Sequence, residues 1–128
     1  MRVLVVEDNE MMRDVVARSL RLFGYVVATA SQGKEALAQF DRFAPDLVIT
    51  DLIMPEMDGL ETTMAIRRLS PKTKIIVMSG CSAVNRVDYL EVVRRLGADD
   101  VLQKPFNLTC LREKVNGHLG AAPHRAAA

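Results

Sequence analysis

Three carboxylates fall within four residues at Glu7, Asp8 and Glu10, immediately after the apolar run Leu4–Val5–Val6. Further along, Asp51 follows "DLVIT", Ser79-Gly80 follows "KIIVM", and Lys104-Pro105 follows "DVLQ". A carboxylate cluster repels itself unless a cation sits in it, and oxygen donors of this kind suit a hard divalent ion such as Mg²⁺. A hydroxyl and an amine beside it would complement the oxygens of a phosphoryl group. Taken singly, Asp51 reads as a turn former, Lys104 as a surface lysine, Ser79 as a partner for local backbone, and the acidic pair as the opening of a helix. Together they demand elements that bring them to one place.

Those elements are legible. Five β-like runs, 3–6, 26–30, 46–50, 74–79 and 100–103, alternate with stretches of helical periodicity. Three of the runs are apolar on consecutive residues, the pattern of strands covered on both faces. The first helix carries Met12, Val16, Leu20 and Phe23 and stops at Gly24. Ser31 is read as the cap of a second helix, which Pro45 ends. Asp58 and Glu61 form a capping-box spacing before the third. A fourth runs through Val84, Val87, Leu90, Val93 and Leu96 to Gly97, and Asn107 caps a fifth. The alternation predicts a parallel sheet with right-handed crossovers in a three-layer α/β domain. In such a sheet, ligands bind beyond the carboxyl ends of the strands, where Glu7, Asp8, Asp51, Ser79 and Lys104 all fall. The second strand ends in Ala30-Ser31, brings no chemistry, and suits an edge position.

Length and composition narrow the classes. One domain, residues 1–119, accommodates the pattern, and residues 120–128 read as a disordered tail or linker start. Of the 128 residues 49% are apolar, and 17 basic against 16 acidic residues leave a net charge of +1, which argues against direct nucleic-acid binding. No apolar run is long enough for a membrane span, and the N-terminus lacks a secretory layout, so a cytoplasmic location is expected. Cys81 and Cys110 have no metal-type spacing, and His118 and His124 fall away from the predicted edge.

The ordered set "VVED", "TDLIMPEMDG", "VMSG" and "QKPF" closely resembles the receiver domains of two-component response regulators, from Arg2 to about Leu119. The resemblance implies a flavodoxin-like (βα)5 fold with sheet order 2-1-3-4-5. It implies that Asp51 accepts a phosphoryl group from the phosphohistidine of a histidine kinase or phosphotransfer protein. Glu7, Asp8, Asp51 and the backbone of Ile53 would hold Mg²⁺. Ser79 would bond the phosphoryl group, Lys104 would pair with it, and the bond before Pro105 would be cis. Gly80, Cys81 and Val101 fall at switch positions. The family often has an aromatic residue where Val101 stands, and valine cannot swing as a ring does. Ile53 and Cys81 suggest slow self-dephosphorylation, since neither side chain holds water well. Output would pass through the surface of the fourth strand, fourth helix, fifth strand and fifth helix to a partner protein or output domain, with a homodimer through the fourth helix, fifth strand and fifth helix. The chain would act on itself without turning over an external substrate.

Three other readings fit the architecture. A flavin carrier would want a Gly/Ser/Thr-rich phosphate cradle where "EDNE" stands. A phosphohydrolase would want a second acid beside the nucleophile, where Leu52 and Ile53 follow Asp51. A degenerate receiver serving only as a binding module would lack site residues that are present here.

Overall fold

A computed structural model describes residues 1–52, 59–80, 91 and 93–120. The strands are β1 (Arg2–Val6), β2 (Val26–Ala30), β3 (Leu47–Asp51), β4 (Lys74–Ser79) and β5 (Asp100–Gln103). The helices α1 (Glu10–Leu22), α2 (Gly33–Phe43), α3 (Gly59–Leu69) and a C-terminal helix (Leu108–Leu119) alternate with them. All strand pairs are parallel, in the order β2-β1-β3-β4-β5, as the resemblance implies. The flavodoxin-like reading holds, and β2 is an edge strand.

Side chains on a strand alternate between faces, so β1 feeds two cores. Val3 and Val5 pack with Val16 and Leu20 of α1 and Leu111 and Val115 of the C-terminal helix. Leu4 and Val6 pack with Ala36 and Phe40 of α2 and Ile66 of α3. All four β1 valines and leucines are fully buried, which explains their uninterrupted apolar run.

Most helix ends follow the sequence signals. Gly24 and Gly97 adopt φ values of +102° and +118°, the left-handed region that suits glycine at a helix stop. The Asn107 side chain accepts from Cys110 N–H and caps the C-terminal helix. The cap of α2 differs from expectation: Gln32 occupies it without a side-chain bond. Ser31 instead donates through both backbone N–H and hydroxyl to Glu35 Oε1, at 2.8 and 2.7 Å, so the glutamate reaches back and ties the turn. Glu91 and Val93–Arg95 are helical where the fourth helix is expected. The expectations at Ile53, Asp58, Cys81, His124 and the 121–128 tail lie outside the described residues.

Candidate functional site

The parallel register decides which side chains meet. Asp51, the last residue of β3, stands opposite Met78, and Ser79, the last of β4, stands opposite Gln103. The next residue, Lys104, donates its backbone N–H to the Ser79 carbonyl at 2.7 Å, carrying the β-ladder one step further. Likewise Leu52 N–H bonds the Met78 carbonyl at 2.9 Å, extending the β3–β4 pairing beyond Asp51. The sheet therefore ends with Asp51, Ser79 and Lys104 side by side. Glu7 continues β1 in the same way, its N–H bonding Ala30 O at 3.0 Å.

The acids converge. Glu7, Asp8 and Asp51 each offer a carboxylate oxygen, all within 4.8 Å of one another. Glu7 is 1% exposed and Asp51 is buried, whereas Asp8 is open to solvent. Ionised carboxylates that close repel by roughly 3 kcal/mol per pair at an effective dielectric of about 20. Lys104 answers part of this repulsion: its Nζ lies 2.9 Å from Glu7 Oε1 and 3.2 Å from Asp51 Oδ1. Leu52 N–H also donates to Asp51 Oδ1 at 2.9 Å, and Asn9 N–H to Glu7 Oε2 at 3.1 Å.

The local fields raise the pKa of both partners, with opposite consequences for their charge. Burial pushes the Glu7 carboxyl above the ordinary glutamate range, outweighing the hydrogen bonds from Lys104 and Asn9; the neighbouring acids push the same way. Burial alone would lower the Lys104 ammonium, but its hydrogen bond to Glu7 and the charges of Glu7 and Asp51 win and raise it. The amine stays charged, and the carboxyl it faces is still short of positive charge.

The donor set fits a hard divalent cation. Three carboxylates without thiol or imidazole are the chemistry Mg²⁺ accepts, and one of them faces solvent, where metal waters can remain. Glu7, Asp8 and Asp51 could therefore hold such an ion.

A family profile described as the response regulator receiver domain matches residues 3–116. The chain belongs to this family. The receiver domain is 38% identical over 120 residues to the response regulator MprA of Mycobacterium leprae, covering 93% of this chain and 51% of that protein. It is 35% identical over 116 residues to the chemotaxis protein CheY of Thermotoga maritima, covering 90% of this chain and 94% of that one. Among solved structures, Vibrio cholerae CheY4 superposes with a TM-score of 0.80 at 33% identity, covering 91% and 96% of the two chains. The receiver spans about half the length of several curated relatives it matches (45%, 47% and 51%).

Gly80, Val101 and Pro105, which the resemblance implies are switch positions, lie near the same strand ends. Gly80 follows β4 and is exposed, and a Cβ there would meet nothing within 4 Å among the described residues. Val101 is half-buried against the Leu4–Val6 core, with its N–H bonded to Asp100 Oδ1 at 2.8 Å. The Lys104–Pro105 bond is cis, as the resemblance implies. His118 is remote from the acids, and its Nε2 lies 3.1 Å from Asp100 Oδ2.

One residue that matters here carries no chemistry. A Cβ on Gly59 would lie 2.1 Å from the Asp51 carbonyl oxygen and 2.7 Å from Leu52 Cα, while Gly59 N–H bonds Leu52 O at 2.7 Å. The start of α3 thus presses on the backbone of Asp51. The available signal was Gly59 directly after Asp58, but Asp58 with Glu61 reads as a capping box, which says nothing of a close approach to Asp51.

Proposed function

We propose that the chain is a phosphorylation-switched receiver in which Asp51 takes a phosphoryl group from the phosphohistidine of a histidine kinase or phosphotransfer protein. The observation that carries this reading is the acid triad with Lys104 Nζ set between Glu7 and Asp51. An Asp51 oxygen attacks phosphorus as the histidine N–P bond breaks, giving an acyl phosphate and a free imidazole. Leu52 N–H and Lys104 hold Asp51 Oδ1, which fixes the carboxylate for in-line attack. Mg²⁺ held by Glu7, Asp8 and Asp51, with the Ile53 carbonyl as a further donor, would supply charge neutralisation for the transferring oxygens.

Phosphorylation replaces one negative charge by about two and adds three acceptor oxygens. Lys104, already bonded to Asp51, is a cation able to turn toward them, and Ser79, buried beside it at the end of β4, is the hydroxyl to follow. Movement at Ser79-Gly80 reaches the fourth helix and β5. Output then passes through the surface formed by the fourth helix, β5 and the C-terminal helix to a partner protein, an output domain or a second copy. With Val101 in place of a ring, the signal travels by backbone displacement.

The test is intact mass after incubation with acetyl phosphate. Wild-type protein with Mg²⁺ should gain one phosphoryl group, and neither Asp51→Asn nor protein treated with a chelator should. No gain in wild type would favour a phosphorylation-independent binding module.

A further inference from the structure

Asp8 is the one member of the triad open to solvent, yet its carboxylate stands with two buried ones. Something must hold the turn that carries it. On one side, β2 ends at Ala30, whose carbonyl takes Glu7 N–H. Beyond that strand end the Glu7 carbonyl is taken by Arg13, whose Nη1 donates to it at 3.0 Å. On the other side, Asn9 caps α1: its Oδ1 accepts Met12 N–H at 2.9 Å and its carbonyl accepts Arg13 N–H at 2.9 Å. Asn9 N–H closes the loop on Glu7 Oε2 at 3.1 Å. The residues flanking Asp8 are thus tied to each other and, through both ends of Arg13, to the first turn of α1.

We infer that Arg13 is a positioning residue that clamps the Glu7–Asn9 turn and thereby presents Asp8 to a divalent cation. This rests on the metal reading proposed above. Two effects of Arg13 oppose each other, which makes the idea sharp. Its positive charge stands close to the cation's site and by itself weakens metal binding. Its hydrogen bond pre-orders a donor and strengthens binding by removing an ordering cost. Glu35, in the first turn of α2, feels the Arg13 charge weakly, and its main partner is Ser31.

The experiment measures Mg²⁺ affinity by calorimetry for wild type, Arg13→Ala and Arg13→Lys, together with amide exchange at Asn9 and Glu10 in metal-free protein. Urea midpoints confirm that each variant is folded. The clamp predicts affinity weaker by roughly three- to tenfold in Arg13→Ala, about one hydrogen bond's worth. It predicts weakening in Arg13→Lys too, since lysine keeps the charge but lacks the planar fork. Exchange at Asn9 and Glu10 should quicken in both variants. Tighter binding by Arg13→Ala with wild-type affinity in Arg13→Lys would overturn the clamp and leave charge alone. Unchanged exchange would overturn it whether or not metal binds. Absence of Mg²⁺ binding by wild type would instead overturn the metal reading, and the exchange rates would decide the clamp by themselves.

Discussion

Glu7 is costly to ionise in the metal-free fold: it is 1% exposed, and Asp8 and Asp51 crowd it. Because burial raises its folded-state pKa, its contribution to stability is present below the ordinary glutamate value and lost as pH rises through the raised one. Mg²⁺ should restore that loss, so the rise in melting temperature on adding Mg²⁺ is expected to be larger at pH 8 than at pH 5. Saturation at a hundredfold over the dissociation constant adds about 2.7 kcal/mol. Equal rises at the two pH values would contradict this. Lys104 carries the complementary prediction. Its pKa is raised, so its stabilising effect is complete below the ordinary lysine value and fades only at strongly alkaline pH. Lys104→Met leaves Glu7 and Asp51 without that cation and should cost about 2 kcal/mol in metal-free urea unfolding, less than a fully buried pair because Nζ is partly solvated. Mg²⁺ should narrow the difference. Gly59→Ala places a methyl against the Asp51 carbonyl, and the backbone must shift to admit it. Its expected cost is about 2–4 kcal/mol, read as a lowered urea midpoint, with slower acetyl-phosphate labelling because Asp51 moves as well.

At the scale of elements, a half-buried cluster of charge ties the C-terminal helix to β5. Asp100 Oδ1 accepts from Lys114 Nζ at 2.9 Å and from Val101 N–H, and Oδ2 faces His118 Nε2. Burial works against the Asp100 carboxylate, but the bonds from Lys114, His118 and Val101 N–H outweigh it and hold its pKa below the ordinary aspartate range. Its contribution is therefore complete above the ordinary value and lost as pH falls through the depressed one. Asp100→Asn should be less stable than wild type by about 1 kcal/mol at pH 7, and the gap should close as pH falls toward 3. Arg67 is a second tie, bonding Gly97 O, Pro71 O, Thr73 O and Asp99 Oδ2 from the end of α3. Neither tie was legible in the sequence, because each joins residues far apart that look like ordinary surface charge. Glycine and asparagine at helix ends were legible, since their backbone conformation and capping are local. So was the convergence of Asp51, Ser79 and Lys104, which follows from strand order once the strands are parallel. What the pattern hid was the division of labour: Glu7 buried against Lys104 97 residues away, Asp8 open, and Gly59 pressed on Asp51.

For the whole molecule, the two cores lie on opposite faces of one sheet, and the acids sit at the end of that sheet. Such a site can be rearranged by a charge change without unfolding either core. Similar receiver domains make up nearly the whole of Thermotoga maritima CheY and about half of Mycobacterium leprae MprA. The most direct measurement is a crystal structure grown with Mg²⁺ and beryllofluoride. Trifluoroberyllate should stand on the Asp51 carboxylate, with the cation against Glu7 and Asp8 and Lys104 Nζ turned from Glu7 toward fluorine. An unmodified Asp51, with that amine still bridging the two acids and no ion bound, would contradict the phosphoryl-switch reading.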